Sequence, residues 1–71
     1  MSGPYYQDEY GGQYFVGTSD RGWTFFRMPR GGGGRILKHP AKPWADRAEA
    51  VRRLKEFARL RQMNEIERLA L

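Results

Sequence analysis

The distribution of apolar residues divides the chain into two parts. Residues 13–17, 23–28 and 35–39 form short runs rich in aromatic and aliphatic side chains, separated by Gly, Pro and small polar residues. Such runs are typical of β-strands, and Pro29 and Pro40 close the second and third because proline has no N–H to give a sheet. The pattern predicts three strands followed by a helix.

The predicted helix begins at Asp46, a good N-cap residue, and Glu49 completes a capping box with it. From Ala48 onward the chain has no Gly or Pro before its end, so the helix is expected to run to near Leu69. We therefore expect an α+β fold, a small three-stranded antiparallel β-sheet (a meander) packed by one long C-terminal α-helix. The helix residues expected to face the sheet are Ala50, Val51, Leu54, Phe57 and Ala58.

The apolar side of this helix changes after Ala58. At about 100° per residue, the later apolar residues cluster on the other side: Leu60, Met63, Ile66 and Ala70. About 24 helical residues would also span ~36 Å, against ~20 Å for strands of five or six residues. Residues 60–71 therefore either overhang the sheet as an interaction helix, which a second copy could cover in a homodimer, or break near residues 61–62 and fold back.

Residues 1–12 are predicted to be an N-terminal arm, and residues 13–71 a single βββα domain. Tyr5, Tyr6 and Tyr10 make the arm too aromatic for a fully solvated tail. We expect at least one of them to lie on the domain. They are also an alternative cover for an overhanging helix face.

Side chains of the second predicted strand point alternately to opposite faces of the sheet. Trp23, Phe25 and Arg27 share one face, and Phe26 and Met28 share the other. One helix covers only one face, and the set without an arginine is the better core. The set with Arg27 would then be open and suited to base stacking or groove reading. The alternative is that the two rings are core and Arg27 reaches out at the edge.

Positive charge is concentrated in the middle of this 71-residue chain, which has a net charge of +5 and a pI near 10.1. Residues 21–44 contain no Asp or Glu. Cations attract phosphate and interleaved rings stack on bases, so this composition favours nucleic acid as the partner. The glycines at 31–34, between Arg30 and Arg35, would let both cations approach a phosphate backbone with little steric hindrance.

The sequence offers no set of catalytic residues. His39 is the single histidine, and no nucleophile or group of metal ligands accompanies it. Helix carboxylates such as Glu49 are spaced to pair with arginines rather than with each other. The glycine run lacks the Gly-Lys-Ser/Thr that would make it a phosphate-binding Walker loop. We therefore expect a protein that is not an enzyme and needs neither cofactor nor metal.

Cysteine is absent, which removes disulfides and Cys-based metal sites and fits a cytoplasmic protein. No apolar run has the length of a signal peptide core or a membrane span. We expect a cytoplasmic protein that does not engage a membrane.

The run Gly-Trp-Thr-Phe-Phe-Arg at 22–27 and the run Arg-Ala-Glu-Ala at 47–50 give the chain a pattern that resembles the arm-type DNA-binding domains of phage integrases. The resemblance covers residues 13–60. In that family the open sheet face enters the major groove. The contact set that the resemblance implies here is Trp23, Phe25, Arg27, Arg35 and Lys38. The glycine loop and the extended C-terminal helix are unlike the family.

These observations lead us to expect a small non-catalytic nucleic-acid-binding module, with duplex DNA ahead of RNA. The alternative is a protein-interaction module, such as a small phage-type inhibitor or adaptor, that docks on a larger complex through Leu60, Met63 and Ile66. The expected nucleic-acid contacts are Arg21, Trp23, Phe25, Arg27, Arg30, Arg35, Lys38 and Lys42.

Overall fold

A computed structural model of the chain describes residues 3–32 and 35–69. Among these residues, the strands are β1 (Tyr5–Gln7), β2 (Gln13–Ser19), β3 (Gly22–Met28), β4 (Leu37–Lys38) and β5 (Asn64–Ile66). The helix α1 spans Arg47–Leu60, and a short 3-10 turn at Arg30–Gly32 lies between β3 and β4. The strands form one antiparallel sheet in the order β4-β3-β2-β1-β5.

The predicted α+β class is confirmed, but the sheet is larger than a three-stranded meander. Strands β2, β3 and β4 are the three that the sequence predicts, the last of them shortened to two residues. Strands β1 and β5 join on the far side of β2, so the sheet has five strands in the described part of the chain.

Strand β1 lies in the segment predicted to be an N-terminal arm. Asp8 begins the turn that follows it: its C=O accepts from the N–H of Gly11 at 3.1 Å, and its N–H donates to the C=O of Gly12 at 2.9 Å. Gly11 has a φ of 86°, which glycine adopts without steric cost. The turn brings β1 between β2 and β5, so part of the predicted arm is an interior strand.

The tyrosines of this segment divide between core and solvent. Tyr5 and Tyr6 are buried, with 7% and 8% of their surface exposed, whereas Tyr10 in the turn is 74% exposed. The expectation that at least one of them lies on the domain is confirmed.

The chain after β4 continues along the edge of β3. The N–H of His39 donates to the C=O of Phe25 at 3.0 Å, and Trp23 and Trp44 exchange two backbone hydrogen bonds of 2.8 Å. Gly22 is needed at this approach, because a Cβ there would lie 2.5 Å from the carbonyl oxygen of Trp44. The segment between His39 and Trp44 therefore runs beside the first half of β3.

Helix α1 begins as predicted, with the Asp46 carboxylate accepting the N–H of Glu49 at 2.8 Å. Ala50 and Leu54 are completely buried and Ala58 is 2% exposed, so the apolar side of the helix packs on the sheet as the sequence predicts. The sheet residues that complete this core are Tyr6, Tyr14, Val16 and Phe25.

Helix α1 ends at Leu60, so its predicted extension toward the C-terminus is wrong. Gln62 adopts the left-handed conformation, with a φ of 55°. Its N–H donates to the C=O of Arg59 at 3.2 Å, and the N–H of Met63 donates to the C=O of Ala58 at 2.9 Å. This pair of bonds is a Schellman C-cap, which satisfies the last helical carbonyls and turns the chain.

After this cap the chain folds back along the sheet. Glu65 in β5 pairs with Tyr6 in β1, and Met63 packs against the core. Of the two alternatives for residues 60–71, folding back near 61–62 is confirmed and the overhanging helix is wrong for residues 60–69; residues 70 and 71 lie outside the described part.

The two faces of β3 are the reverse of those predicted. Phe25, opposite Val16, faces α1, and Arg27 shares that side. Phe26 and Met28 lie on the other side of the sheet, which we call the reverse face. The alternation was predicted correctly. Of the alternative that Trp23 and Phe25 are core and Arg27 reaches out at the edge, the part that concerns Phe25 is confirmed, while Trp23 is half-buried against the core. The preferred assignment is wrong because Arg27 has an acidic partner on the helix side and does not need open solvent.

Replacing Gln62 with glycine should stabilise the protein. Glycine adopts the positive φ at this position without the steric cost of a side chain, so Gln62→Gly should raise the free energy of unfolding by about 0.5–1 kcal/mol. Urea denaturation measures the change. Gln62→Ala, which keeps a Cβ, is the control and should give no such gain; an equal gain in both variants would contradict the role of the left-handed cap.

Candidate nucleic-acid interface

The carboxylate of Asp8 accepts hydrogen bonds from several groups around the β1–β2 turn. Its Oδ1 accepts from the backbone N–H groups of Tyr10 and Gly12, each at 2.9 Å. Its Oδ2 accepts from the Nε of Arg27 at 2.9 Å and from the hydroxyl of Tyr14 at 3.2 Å. The guanidinium lies directly over Gly12, where any Cβ would overlap it. One carboxylate thus ties the turn to β2 and β3.

The Asp8–Arg27 pair is an ion pair with little contact with water, since only 15% of the Asp8 side chain and 27% of the Arg27 side chain are exposed. Partial burial by itself would raise the pKa of Asp8. The hydrogen bonds from Arg27 and from the turn N–H groups outweigh that effect and hold the pKa below its usual value. The hydrogen bond to Asp8 in turn raises the pKa of Arg27. Arg27, an expected nucleic-acid contact, is therefore already bound to a carboxylate.

Phe25, another expected contact, is not available to stack on a base. Only 2% of it is exposed. Its ring centroid lies 4.2 Å from that of His39, the residue after β4, and 5.2 Å from that of Phe57 in α1, and these two rings close over it. Trp23 is half-buried beside Trp44, at the backbone bridge described above.

His39 belongs to this aromatic cluster rather than to a chemical site. Burial lowers the pKa of His39, and the nearby Arg61 lowers it further. The Arg61 guanidinium itself lies 4.0 Å from the ring centroid of Phe57. A neutral imidazole stacked among rings fits a packing role.

The remaining cations of residues 21–44 are exposed: Arg21, Arg30, Arg35, Lys38 and Lys42. In the described part of the chain none of them has a carboxylate within 4.0 Å; the ion pairs there are Arg27 with Asp8, and Arg52 and Arg53 with Glu49. We call the five exposed cations without such a partner (Arg21, Arg30, Arg35, Lys38 and Lys42) the cationic edge. The other cations of the predicted contact set are thus available, unlike Arg27.

Most of the cationic edge follows the β4 side of the sheet. Arg21 lies in the β2–β3 turn and Lys38 in β4, one of the two outer strands, whereas Arg30 follows β3 and its side chain lies against Gly11 in the β1–β2 turn. Arg35 precedes β4, and Lys42 lies in the segment beside the first half of β3. A strand of the length of β3 spans about 20 Å, so the charges are spread along an edge of that length.

A pair of rings outside the predicted contact set lies beside this edge. Phe15 and Phe26, register partners on the reverse face, are 5.5 Å apart at 20° and half-buried. In β4, the other strand next to β3, Lys38 is the register partner of Phe26. The sequence signal that could have predicted which face is open is Asp8. This acid lies in a segment without cations and can therefore neutralise Arg27.

The residues predicted to dock on a protein are not brought onto one helical face. Leu60 is 65% exposed at the end of α1, Met63 packs against the core, and Ile66 in the outer strand β5 pairs with Tyr5. Their predicted grouping assumed the helical spacing that ends at Leu60.

No protein family, no curated protein and no solved structure matches this chain. Within residues 3–32 and 35–69, no group of three or more His, Asp or Glu side chains comes together to hold a metal ion. No helix in those ranges is long and apolar enough to cross a membrane. The case for a function therefore depends on the charges and rings described above.

Removing the Asp8 carboxylate should destabilise the fold. Asp8→Ala leaves Arg27 and the turn N–H groups without their acceptor, and we expect it to lower the free energy of unfolding by about 2 kcal/mol. Stability should also fall as the pH drops below the ordinary value of 3.8, because the folded pKa lies lower still, and this loss should be smaller in the variant. Urea denaturation between about pH 7 and about pH 3 measures both changes in stability.

The matched control is Glu49→Ala, which removes a carboxylate that bonds two exposed arginines. An exposed pair contributes at most about 1 kcal/mol, so the control should cost clearly less at neutral pH. Equal losses in the two variants would contradict the central place of Asp8.

Proposed function

We propose that this chain is a small non-catalytic nucleic-acid-binding module and that the cationic edge is its binding surface. The observation that carries the proposal is the separation of charges in residues 21–44. Arg27 is paired with Asp8, while the cations of the edge are exposed and have no carboxylate partner among the described residues. Unpaired cations attract a polyanion because binding releases its condensed counterions.

The spacing of the edge suits a phosphate backbone. Each strand of a duplex carries one phosphate per about 3.4 Å of helix axis, so an edge of about 20 Å faces several phosphates. Such contacts give affinity and position, but they do not read sequence. The edge alone therefore supports a module that binds many sequences.

The expected preference for duplex DNA depended on Trp23, Phe25 and Arg27 as a groove-reading set. Two of these residues are engaged elsewhere, Phe25 in the core and Arg27 with Asp8. Duplex DNA stays a partner that the cationic edge can bind through phosphates. The form of nucleic acid that is favoured then depends on which rings lie next to the edge.

Removing charge from the edge should weaken binding and reduce its dependence on salt. The double variant Arg35→Ala/Lys38→Ala should lose about two phosphate contacts. The slope of log affinity against log salt should then fall by about 1.4–1.8, since each contact contributes about 0.7 on single strands and 0.9 on duplex. Fluorescence anisotropy with a labelled duplex and a matched single strand, over a range of salt, measures the slope.

The control is Arg59→Ala/Arg68→Ala, which removes the same charge from exposed residues away from the edge. Its slope should equal that of the unchanged protein. Equal losses in the two double variants would show that only net charge matters, which would contradict the edge as the surface. Absence of binding to either nucleic acid at low salt would contradict the proposed function itself.

A second candidate function, docking on another protein chain such as a second copy of this one, is favoured by one apolar surface. Leu37 and Leu60 are 50% and 65% exposed, and they flank the His39 and Phe57 rings on either side. Exposed apolar side chains grouped around partly buried rings are typical of interaction surfaces.

Charging Leu60 separates the two candidate functions. If this surface forms a homodimer, Leu60→Glu should convert it to a monomer in sedimentation velocity, because a carboxylate would have to be buried in the interface. Leu60→Ser controls for loss of apolar area without charge and should weaken the dimer less. A protein that is monomeric at all concentrations before substitution would contradict self-association, and an unchanged salt slope in Leu60→Glu would leave the nucleic-acid proposal intact.

A further inference from the structure

We infer that the reverse face of the sheet is a base-stacking surface, so that the module engages nucleic acid as a single strand, with an unpaired base on the Phe15–Phe26 pair. This inference rests on the proposed function and names the form of nucleic acid that the same protein takes. It is carried by three features of the reverse face: its rings, its charge and the way the rings are held.

The rings offer flat apolar surface where α1 does not cover the sheet. Phe15 and Phe26 lie on the central strands β2 and β3, nearly parallel at 20°, and each keeps part of its surface exposed. The helix packs on the opposite side, against Tyr14, Val16 and Phe25. Aromatic side chains presented on a sheet in this way are suited to stack on successive bases.

The ring of Phe26 is held in place from beneath. The ring lies over Gly17 in the neighbouring strand β2, where an added Cβ would lie 3.1 Å from its Cε1 atom. Glycine at position 17 therefore allows the ring to lie close to the strand. A ring fixed in this way loses little freedom when a base stacks on it, which favours binding.

The charge of the reverse face suits a phosphate backbone. Glu65 is the acidic residue of the described strands, and its register with Tyr6 puts it on the helix side. The described strands thus place no carboxylate on the reverse face. Lys38, directly opposite Phe26, brings a cation beside the ring and joins this face to the cationic edge.

A duplex cannot use these rings in the same way. Its bases are stacked on one another and offer only their edges in the grooves, whereas an unpaired base has a free face. A single strand can place its phosphates along the cationic edge and turn a base onto Phe26. We therefore commit to single-stranded nucleic acid as the occupant of the reverse face.

The test compares ring removal on single strands and on duplexes. Phe26→Leu keeps an apolar side chain but removes the ring, and it should weaken binding to a labelled oligothymidylate roughly tenfold, within the range known for loss of one stacked base. Affinity for a duplex should not change. The salt slope should also stay the same, because no phosphate contact is lost.

A matched ring control and a modified strand make the result specific. Tyr10→Leu removes a ring that is 74% exposed but lies in the β1–β2 turn, and it should leave both affinities unchanged. An oligonucleotide with abasic sites should bind the unchanged protein about as weakly as the intact strand binds Phe26→Leu. Oligouridylate in parallel shows whether RNA or DNA is preferred. Phe15→Leu replaces Phe26→Leu if circular dichroism shows that the latter does not fold.

The outcomes distinguish this inference from the proposed function. Salt-dependent binding whose affinity does not change on loss of the Phe26 or Phe15 ring or with abasic sites would overturn the stacking surface. It would leave the cationic edge as the proposed binding surface. Equal losses on single strands and duplexes would also overturn it. No binding to any nucleic acid at low salt would overturn both.

Discussion

Arg27 lies on the side of β3 that packs against α1, and it can lie there because the Asp8 carboxylate accepts its Nε–H at 2.9 Å. A guanidinium on a buried side of a sheet needs such an acceptor, since a charge without a partner is costly to remove from water. With Arg27 satisfied, Phe25 enters the core two residues earlier and Phe26 turns to the reverse face. The orientation of the whole sheet, and hence the surface left for a partner, depends on this contact.

The reversal of the chain at Gln62 completes the domain around that sheet. A chain of 71 residues has little apolar surface to bury, and α1 covers one face only. The Schellman cap brings Met63 back onto the core and lets β5 pair with β1. Two segments far apart in sequence thereby support each other: β1 is an interior strand only because β5 closes its outer side.

Local patterns predicted the elements whose signals are local. The run at residues 23–28 is strand β3, and Asp46 caps α1 through Glu49, as expected from the residues alone. What the sequence could not supply depends on contacts between distant residues: the pairing of Asp8 with Arg27, and that of β1 with β5. For the candidate site, the cations Arg35 and Lys38 were found from charge alone, but the rings beside them were not, because choosing the face of a strand requires knowing what lies opposite.

Strand β4 has a consequence beyond binding. It is a two-residue strand at the margin of the sheet, with Arg35 before it and Lys38 within it. Short, positively charged margins keep the free backbone groups of a sheet from pairing with another molecule. The charges that we propose bind a polyanion therefore also protect β4 from pairing with another copy of the chain. A polyanion that neutralised these charges without covering β4 would remove that protection. The solubility of the complex therefore depends on how closely the bound chain follows this strand.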